Sequence, residues 1–407
     1  MPIPSSAGSL LLGLIAAVAV LSTLLSTAAL FWVTRRKRPL PDFTPPVTIF
    51  KPLKGVDDCL EANLRSFFRL DYPVFQLLFR VADENDPAAA VVERLLAEFP
   101  EHDARLILGG PAFGLNPKVE SLAIMSRFRK HDFILISDSN IRVRPSYLRE
   151  TVCHLQDPKV GLVSNLFVGT GDVTAGAAFD NLQVNGFVAG NVALASILNI
   201  TCVIGKSMLM PVRVLDEIGG FGSVRNFLGE DQLIGILVKK AGYSIRLSPH
   251  IVENVNQSRS TLGFLSRQSR WYKVRRGLAL AAFLSEPCVN LTTVGIVWAL
   301  SSGSGLAWSG FFVLTGLGVF RDALHTKLLR NTYPRARYWL LSPVKDVFLL
   351  PVWFDAIFNP KIFWRGRQYW VGRYTRLRAS RATRVVRKRV RSVRRVRKVR
   401  AREKGDA

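Results

Sequence analysis

Phe75-Gln-Leu-Leu-Phe-Arg-Val81 runs directly into Ala82-Asp83-Glu84-Asn85-Asp86-Pro87, and Phe133-Ile-Leu-Ile136 runs directly into Ser137-Asp138-Ser139-Asn140. Each stretch joins a short, apolar, β-rich run to an acidic turn, the pattern of a buried strand with polar groups at its carboxyl end. Val47-Thr-Ile-Phe50 and Ala104-Arg-Leu-Ile-Leu108 are two further runs of this kind. Helical apolar spacing fills the intervals at Cys59–Phe68, Ala88–Glu98 and Pro117–Arg127. This alternation predicts an α/β domain, a mostly parallel sheet flanked by helices. Ligands of such sheets bind outside the carboxyl ends of the strands, where both acidic turns fall.

Carboxylates at two strand ends suit a ribose hydroxyl, a uracil N–H and a divalent ion on a diphosphate. The competing reading is local, because Asp and Asn at strand ends are also ordinary turn formers and N-caps. A third cluster, Leu228-Gly229-Glu230-Asp231-Gln232, opens the apolar helical stretch Leu233–Val238, where the helix dipole alone favours acids. A fourth, Arg267-Gln268-Ser269-Arg270-Trp271, places guanidinium groups at i and i+3 on one helix face, able to grip a diphosphate. Its local alternative is a basic rim beside a membrane, which fits Arg275 and Arg276.

Outward from this middle the composition changes. Hydrophobic residues make up 48% of the 407, yet the formal net charge is +26. From Arg373 to Ala407 there are 16 Lys/Arg against 2 Asp/Glu, so +14 of the excess lies in the tail. Ser9–Val33 carries no charge and is followed by Arg35-Arg36-Lys37-Arg38. A run of about 25 apolar residues spans a bilayer, and the positive-inside rule places residue 35 onward in the cytoplasm. Cys288–Phe320, interrupted by Ser301-Ser-Gly-Ser-Gly305, reads as a hairpin of two short helices with basic flanks. Tyr338–Phe358 holds Pro343, Lys345, Asp346, Pro351 and Asp355, which favours a re-entrant or interfacial segment over a crossing. In the tail, Val386, Val390, Val393 and Val396 set a narrow apolar stripe on a basic helix, suited to an anionic lipid surface. Nucleic acid, the other polyanion, is disfavoured by the membrane segments. The 4 cysteines and 5 histidines match no metal-ligand spacing.

In order and spacing the four clusters resemble the ceramide glucosyltransferase family, a branch of the processive-type glycosyltransferases with a GT-A fold. Its pattern D, D, D, (Q/R)xxRW falls on Asp86, Asp138, Asp231 and Arg267-x-x-Arg270-Trp271. Lys51-Pro-Leu-Lys-Gly-Val-Asp57, Leu70-Asp-Tyr-Pro73, Asn116-Pro-Lys118, Gly161-Leu-Val163 and Trp364-Arg365 are similar to further family signatures. The resemblance covers about residues 47 to 370. It implies an inverting lipid glycosyltransferase using a UDP-sugar and a membrane-lipid acceptor. Asp83 and Asp86 would hold the uridine, Asp138 would ligate Mg2+ or Mn2+, and Lys118 would face the phosphates. Asp231 would be the general base, with Arg267, Arg270 and Trp271 at the donor diphosphate and sugar. Relatives often carry a second carboxylate where this chain has Asn140.

The implied organisation is an anchor over 1–38, a cytoplasmic GT-A domain over 39–285, a membrane hairpin with a re-entrant or interfacial segment over 286–372, and an Arg-rich tail over 373–407. A multi-pass protein of a bacterial inner membrane is expected. Glucose from UDP-glucose onto ceramide is the first reading and N-acetylglucosamine onto a hopanoid tetrol the sibling. A processive polysaccharide synthase would be expected to carry more spanning helices. A non-catalytic membrane or polyanion-binding protein is the reading from another class.

Overall fold

A computed structural model describes residues 5–36 and 43–379. The tail helix expected from its valine spacing lies outside these residues. Strands β1 (Val47–Pro52), β2 (Phe75–Val81), β3 (Ala104–Leu108), β4 (Phe133–Ser137), β5 (Ile141–Arg142), β6 (Val160–Gly171), β7 (Ser207–Pro211) and β8 (Ser244–Asn256) form one sheet. Its order is β3-β2-β1-β4-β7-β6-β8-β5. The first four strands pair in parallel, as their apolar runs predict. Every residue of β1 is buried, because helices cover both faces of a parallel sheet.

At β7 the sheet changes sense, since β7 runs antiparallel to both β4 and β6. The sheet is therefore mixed, with a parallel half and a second half that includes the parallel pair β6–β8 and the antiparallel pair β5–β8. The register Ser137↔Ser207 brings the start of β7 beside the acidic end of β4. That pairing sets the site described below.

The helices Leu60–Phe68, Ala88–Glu98 and Pro117–Met125 occupy the expected intervals. Asn116 caps the last of these, its side chain accepting from the backbone N–H of Lys118 (2.9 Å) and Val119 (3.1 Å), with Pro117 at the first helical position. This cap turns Lys118 towards the sheet's carboxyl edge.

A second group of helices packs together. The run Ala175–Leu182 continues through a π-helical turn, Gln183–Val188, into Ala189–Ile197. Against it lie Thr261–Leu278, Leu280–Val289, Leu291–Ser302, Gly305–Arg330 and Leu341–Phe358. The N-terminal helix Ser5–Arg35 packs on four members of this group. Among the described residues one helix, Gly8–Arg35, is long and apolar enough to cross a membrane. The pair Leu280–Val289 and Leu291–Ser302, bent by 59°, passes the same test as one broken span.

The expected hairpin over 288–320 differs at its far end, because its second helix continues to Arg330. The physical reason is pairing. Arg321 and Asp322 meet at 2.8 Å, Lys345 reaches Asp346 at 2.7 Å and Asp322 at 3.3 Å, and all four side chains are buried. Ser342 and Thr292 donate to Asp322 (2.6 Å) and Asp346 (2.9 Å). Charges that make these segments look interrupted in sequence are turned into protein and satisfied there. After Phe358 the chain forms a small antiparallel sheet of β9 (Lys361–Trp364), β10 (Arg367–Val371) and β11 (Leu377–Ala379).

Candidate active site

The carboxyl end of β4, the loop before β7, the start of helix Pro117–Met125 and the start of helix Glu230–Lys240 meet at one point. Lys118 stands at its centre. Its Nζ lies 2.9 Å from Asp138 Oδ1 and 3.3 Å from Glu230 Oε1, and donates to the Gly205 carbonyl at 3.1 Å. Lys206 holds the other oxygen of Asp138 at 3.0 Å and donates to Asn140 Oδ1 at 3.1 Å. Asp231 accepts from the Gly205 backbone N–H at 2.6 Å and from its neighbour Gln232 N–H at 2.8 Å. The Gln232 side chain fastens the 201–205 loop to this helix by accepting from Val203 N–H and donating to Thr201 O, both at 2.8 Å.

The electrostatics follow from this packing. Burial opposes ionisation of Asp138, but Lys118 and Lys206 outweigh it and hold the carboxyl well below its usual range. Burial also opposes the charge of Lys118, and Asp138, Glu230 and Asp231 overcome it, raising its pKa. Burial lowers Lys206, which additionally feels Arg267. Glu230 is pushed up by burial and, after the opposing pull of Lys118, by Asp231. Glu230 also accepts from the Asn116 amide at 3.0 Å, so it serves the Lys118 cluster more directly than it serves as a cap.

The basic helix divides its two arginines. Arg267 is buried against Asp180, which Arg259 also approaches at 3.3 Å and to which Asn256 donates at 3.0 Å. Its guanidinium lies 4.5 Å from the Trp271 ring centroid, so one face of that ring is covered. The Arg270 guanidinium makes no hydrogen bond or ion pair among the described residues, and Asp180 is the one carboxylate that acts on it. Burial, then the charges of Arg267, Arg259 and Arg365, lower it from the ordinary arginine value to about 10. A cation held without an acceptor in a cationic neighbourhood is suited to a polyanion.

The first acidic turn stands apart. Asp86 accepts from Gly55 N–H (2.9 and 3.0 Å) and Ala88 N–H (3.0 Å), tying the Lys51–Asp57 loop to a helix start. Asp83 is exposed and accepts from Asn85 N–H at 3.1 Å. Neither contacts the Lys118 cluster. Sequence reasoning marked Gly205-Lys206-Ser207 only as pocket residues for the donor sugar and Lys51 only within a family signature, and it gave no role to Asp180. Lys51 is fully buried, donates to Asp138 O at 2.6 Å, and is lowered well below the usual lysine value chiefly by burial. The one signal for Asp180 was a lone acid within the apolar run Ala175–Leu182.

Among the described residues no group of three or more His, Cys, Asp or Glu side chains converges to hold a metal. Asn140 is committed to Lys206 and donates to Asn254 Oδ1 at 3.0 Å, so it adds no carboxylate to Asp138, whose two oxygens are paired with Lys118 and Lys206. That donor set fits Mg2+ or Mn2+ only as an ion taking one protein carboxylate, with substrate phosphates and water completing its shell.

A sequence profile of glycosyl transferase family 21 matches residues 11–377. Ceramide glucosyltransferase 3 of Caenorhabditis elegans is 28% identical over 340 residues, covering 81% of this chain and 74% of its own. Ceramide glucosyltransferase of Komagataella phaffii is 25% identical, covering 82% and 84%. Among solved structures, a mannosyltransferase of Pyrobaculum calidifontis in complex with GDP-Man and Mn2+ superposes with a TM-score of 0.56 at 16% identity. It covers 86% of this chain and 99% of its own, and shows a shared GT-A-type fold. The chain belongs to glycosyl transferase family 21 and is a glycosyltransferase.

Proposed function

We propose that this family 21 enzyme moves a sugar, with glucose from UDP-glucose the first choice, onto the hydroxyl of a membrane lipid of the ceramide type, with inversion at the anomeric carbon. The observation that carries the reading is the convergence on Lys118 of Asp138, Glu230 and Gly205, which sets Asp231 beside the paired lysines Lys118 and Lys206 at the sheet's carboxyl edge. Named ceramide glucosyltransferases among its relatives support the donor and acceptor class.

In this mechanism Asp231 takes the proton of the acceptor hydroxyl as its oxygen attacks the anomeric carbon. The bond to the donor phosphate breaks, and its electron pair leaves with UDP. Lys118, Lys206 and Arg270 face the negative charge that develops on the diphosphate. Arg267 orients Trp271, and Asp83 and Asp86 frame the nucleoside end, Asp86 through the loop it fastens. Mg2+ or Mn2+ bound at Asp138 would neutralise part of the diphosphate charge. The N-terminal helix anchors the catalytic domain at the cytoplasmic face of a bacterial inner membrane, and the C-terminal helices bring the lipid to the site.

The test is transfer by membranes containing the full chain, offered UDP-glucose, UDP-galactose and UDP-N-acetylglucosamine against ceramide and a hopanoid tetrol. A labelled glucosylceramide that vanishes with Asp231→Ala is expected. Product from the hopanoid alone would move the acceptor assignment, and no product with any pair would refute the reading.

A further inference from the structure

The small sheet β9–β11 has two unlike faces. Its inner face, carrying Ile362, Tyr369, Val371 and Leu377, is buried against Leu228. On its outer side Phe363 is 66% exposed, Trp370 42% and, in the turn before β11, Tyr374 56%. Basic side chains interleave with these rings. Lys361 and Arg378 are the register partners of Trp370 on its two sides, and Lys361 Nζ lies 5.1 Å from the Trp370 ring centroid. Arg373 lies 5.2 Å from the Tyr374 ring centroid. No acidic residue occurs between Asp355 and Glu403. The helix that leads into the sheet, Leu341–Phe358, itself ends in exposed Phe354 and Phe358.

Exposed aromatic rings among lysines and arginines, in a stretch of chain that contains no acid, match the headgroup layer of an anionic bilayer. A solvated surface does not require such rings in a cluster. The same sheet grips the segment that ends in Asp231. Leu377 N–H donates to Asn226 O at 2.7 Å, and Leu228 N–H donates to Thr375 O at 3.0 Å. The bilayer side and the catalytic side of the sheet are thus one thin layer apart.

We infer that β9–β11 is a membrane-docking platform, whose outer face seats in the headgroup layer of acidic phospholipids and whose inner face thereby fixes the 226–229 segment before Asp231. This goes beyond the proposed transfer reaction and needs no particular donor or acceptor. Helical anchoring alone leaves the sheet free to tilt off the surface; docking holds it down.

The experiment uses the full chain in nanodiscs of phosphatidylcholine, with and without about 30% phosphatidylglycerol. An environment-sensitive fluorescent amino acid is placed at position 363, and separately at exposed Glu101 as a solvent reference. With phosphatidylglycerol, emission from 363 should shift to the blue and be quenched by brominated acyl chains, and Lys361→Glu/Arg378→Glu should reverse both. The same pair should lower the transfer rate several-fold in these discs while the UDP-induced thermal shift is unchanged. Emission from 363 that matches the Glu101 reference in both discs would overturn the inference. This depth reading requires no turnover, so it stands or falls separately from the proposed activity.

Discussion

At the residue scale, Gly205 is the tightest point of the site. A Cβ there would lie 2.7 Å from Lys118 Nζ and 3.0 Å from Asp231 Oδ2. Lys118 Nζ is held by Asp138 and Glu230 and Asp231 Cβ would lie 3.2 Å away, so Gly205→Ala should destabilise the protein by about 1–3 kcal/mol. It should also lower kcat by about a hundredfold, the scale expected when reacting groups are misplaced by about 1 Å. Arg270 gives a prediction of a different kind. Its folded pKa of about 10 lies below the ordinary value, so the unfolded chain binds this proton more tightly. The charged group therefore destabilises the empty protein at neutral pH, and that penalty is relieved only as pH rises from about 10 towards the unfolded value. Arg270→Gln is then expected to be neutral or stabilising without ligand at pH 7. It should weaken UDP binding by about ten- to a hundredfold, as loss of a charged hydrogen bond of about 1.5–3 kcal/mol implies. Thermal melts with and without UDP read both effects, and a variant destabilised when empty would count against it.

At the element scale, the π-helical turn Gln183–Val188 packs both on β6 and on the helix Gly305–Arg330. His325 Nδ1 pairs with Gly186 O at 2.6 Å, and a Cβ on Gly186 would run into the Asp322 carboxylate. Asp322 is held by Arg321, Lys345 and Ser342 and has no room to yield, so Gly186→Ala should destabilise the protein by about 1–3 kcal/mol. Lys345→Met removes the cation shared by two buried carboxylates and should cost about 3–5 kcal/mol, read as a lower thermal midpoint in detergent. These same residues mark where sequence reasoning stopped. The β1–β4 strands and their helices were legible because apolar period and acidic turns agree there. Segment 305–330 was not, because Arg321 and Asp322 look like the end of a membrane helix until their partners Lys345 and Ser342 arrive from elsewhere in the chain. The antiparallel insertion of β7 was hidden for a related reason. A five-residue apolar run announces a strand without its neighbours, and only the Ser137↔Ser207 register brings Lys206 to Asp138.

At the scale of the whole molecule, the candidate site lies at the switch in sheet sense, where the basic helix Thr261–Leu278 acts on it through Arg267. The motif residues Asp138, Asp231, Lys118 and Arg270 were readable in sequence because family spacing marks them. The division of work between Arg267 and Arg270 was not, because it depends on Asp180, 87 positions away from Arg267 in the chain. If Asp231 is the base, Asp231→Asn should retain UDP affinity while transfer falls by about 10²–10⁴. The central claim, a single in-line displacement assisted by that base, is tested most directly by the anomeric configuration of the product. Proton NMR of the glycolipid made from a UDP-α-sugar should show a β-linkage, formed by wild type and lost with Asp231→Asn. An α-linked product would contradict the account, since retention demands a different mechanism and a different role for Asp231.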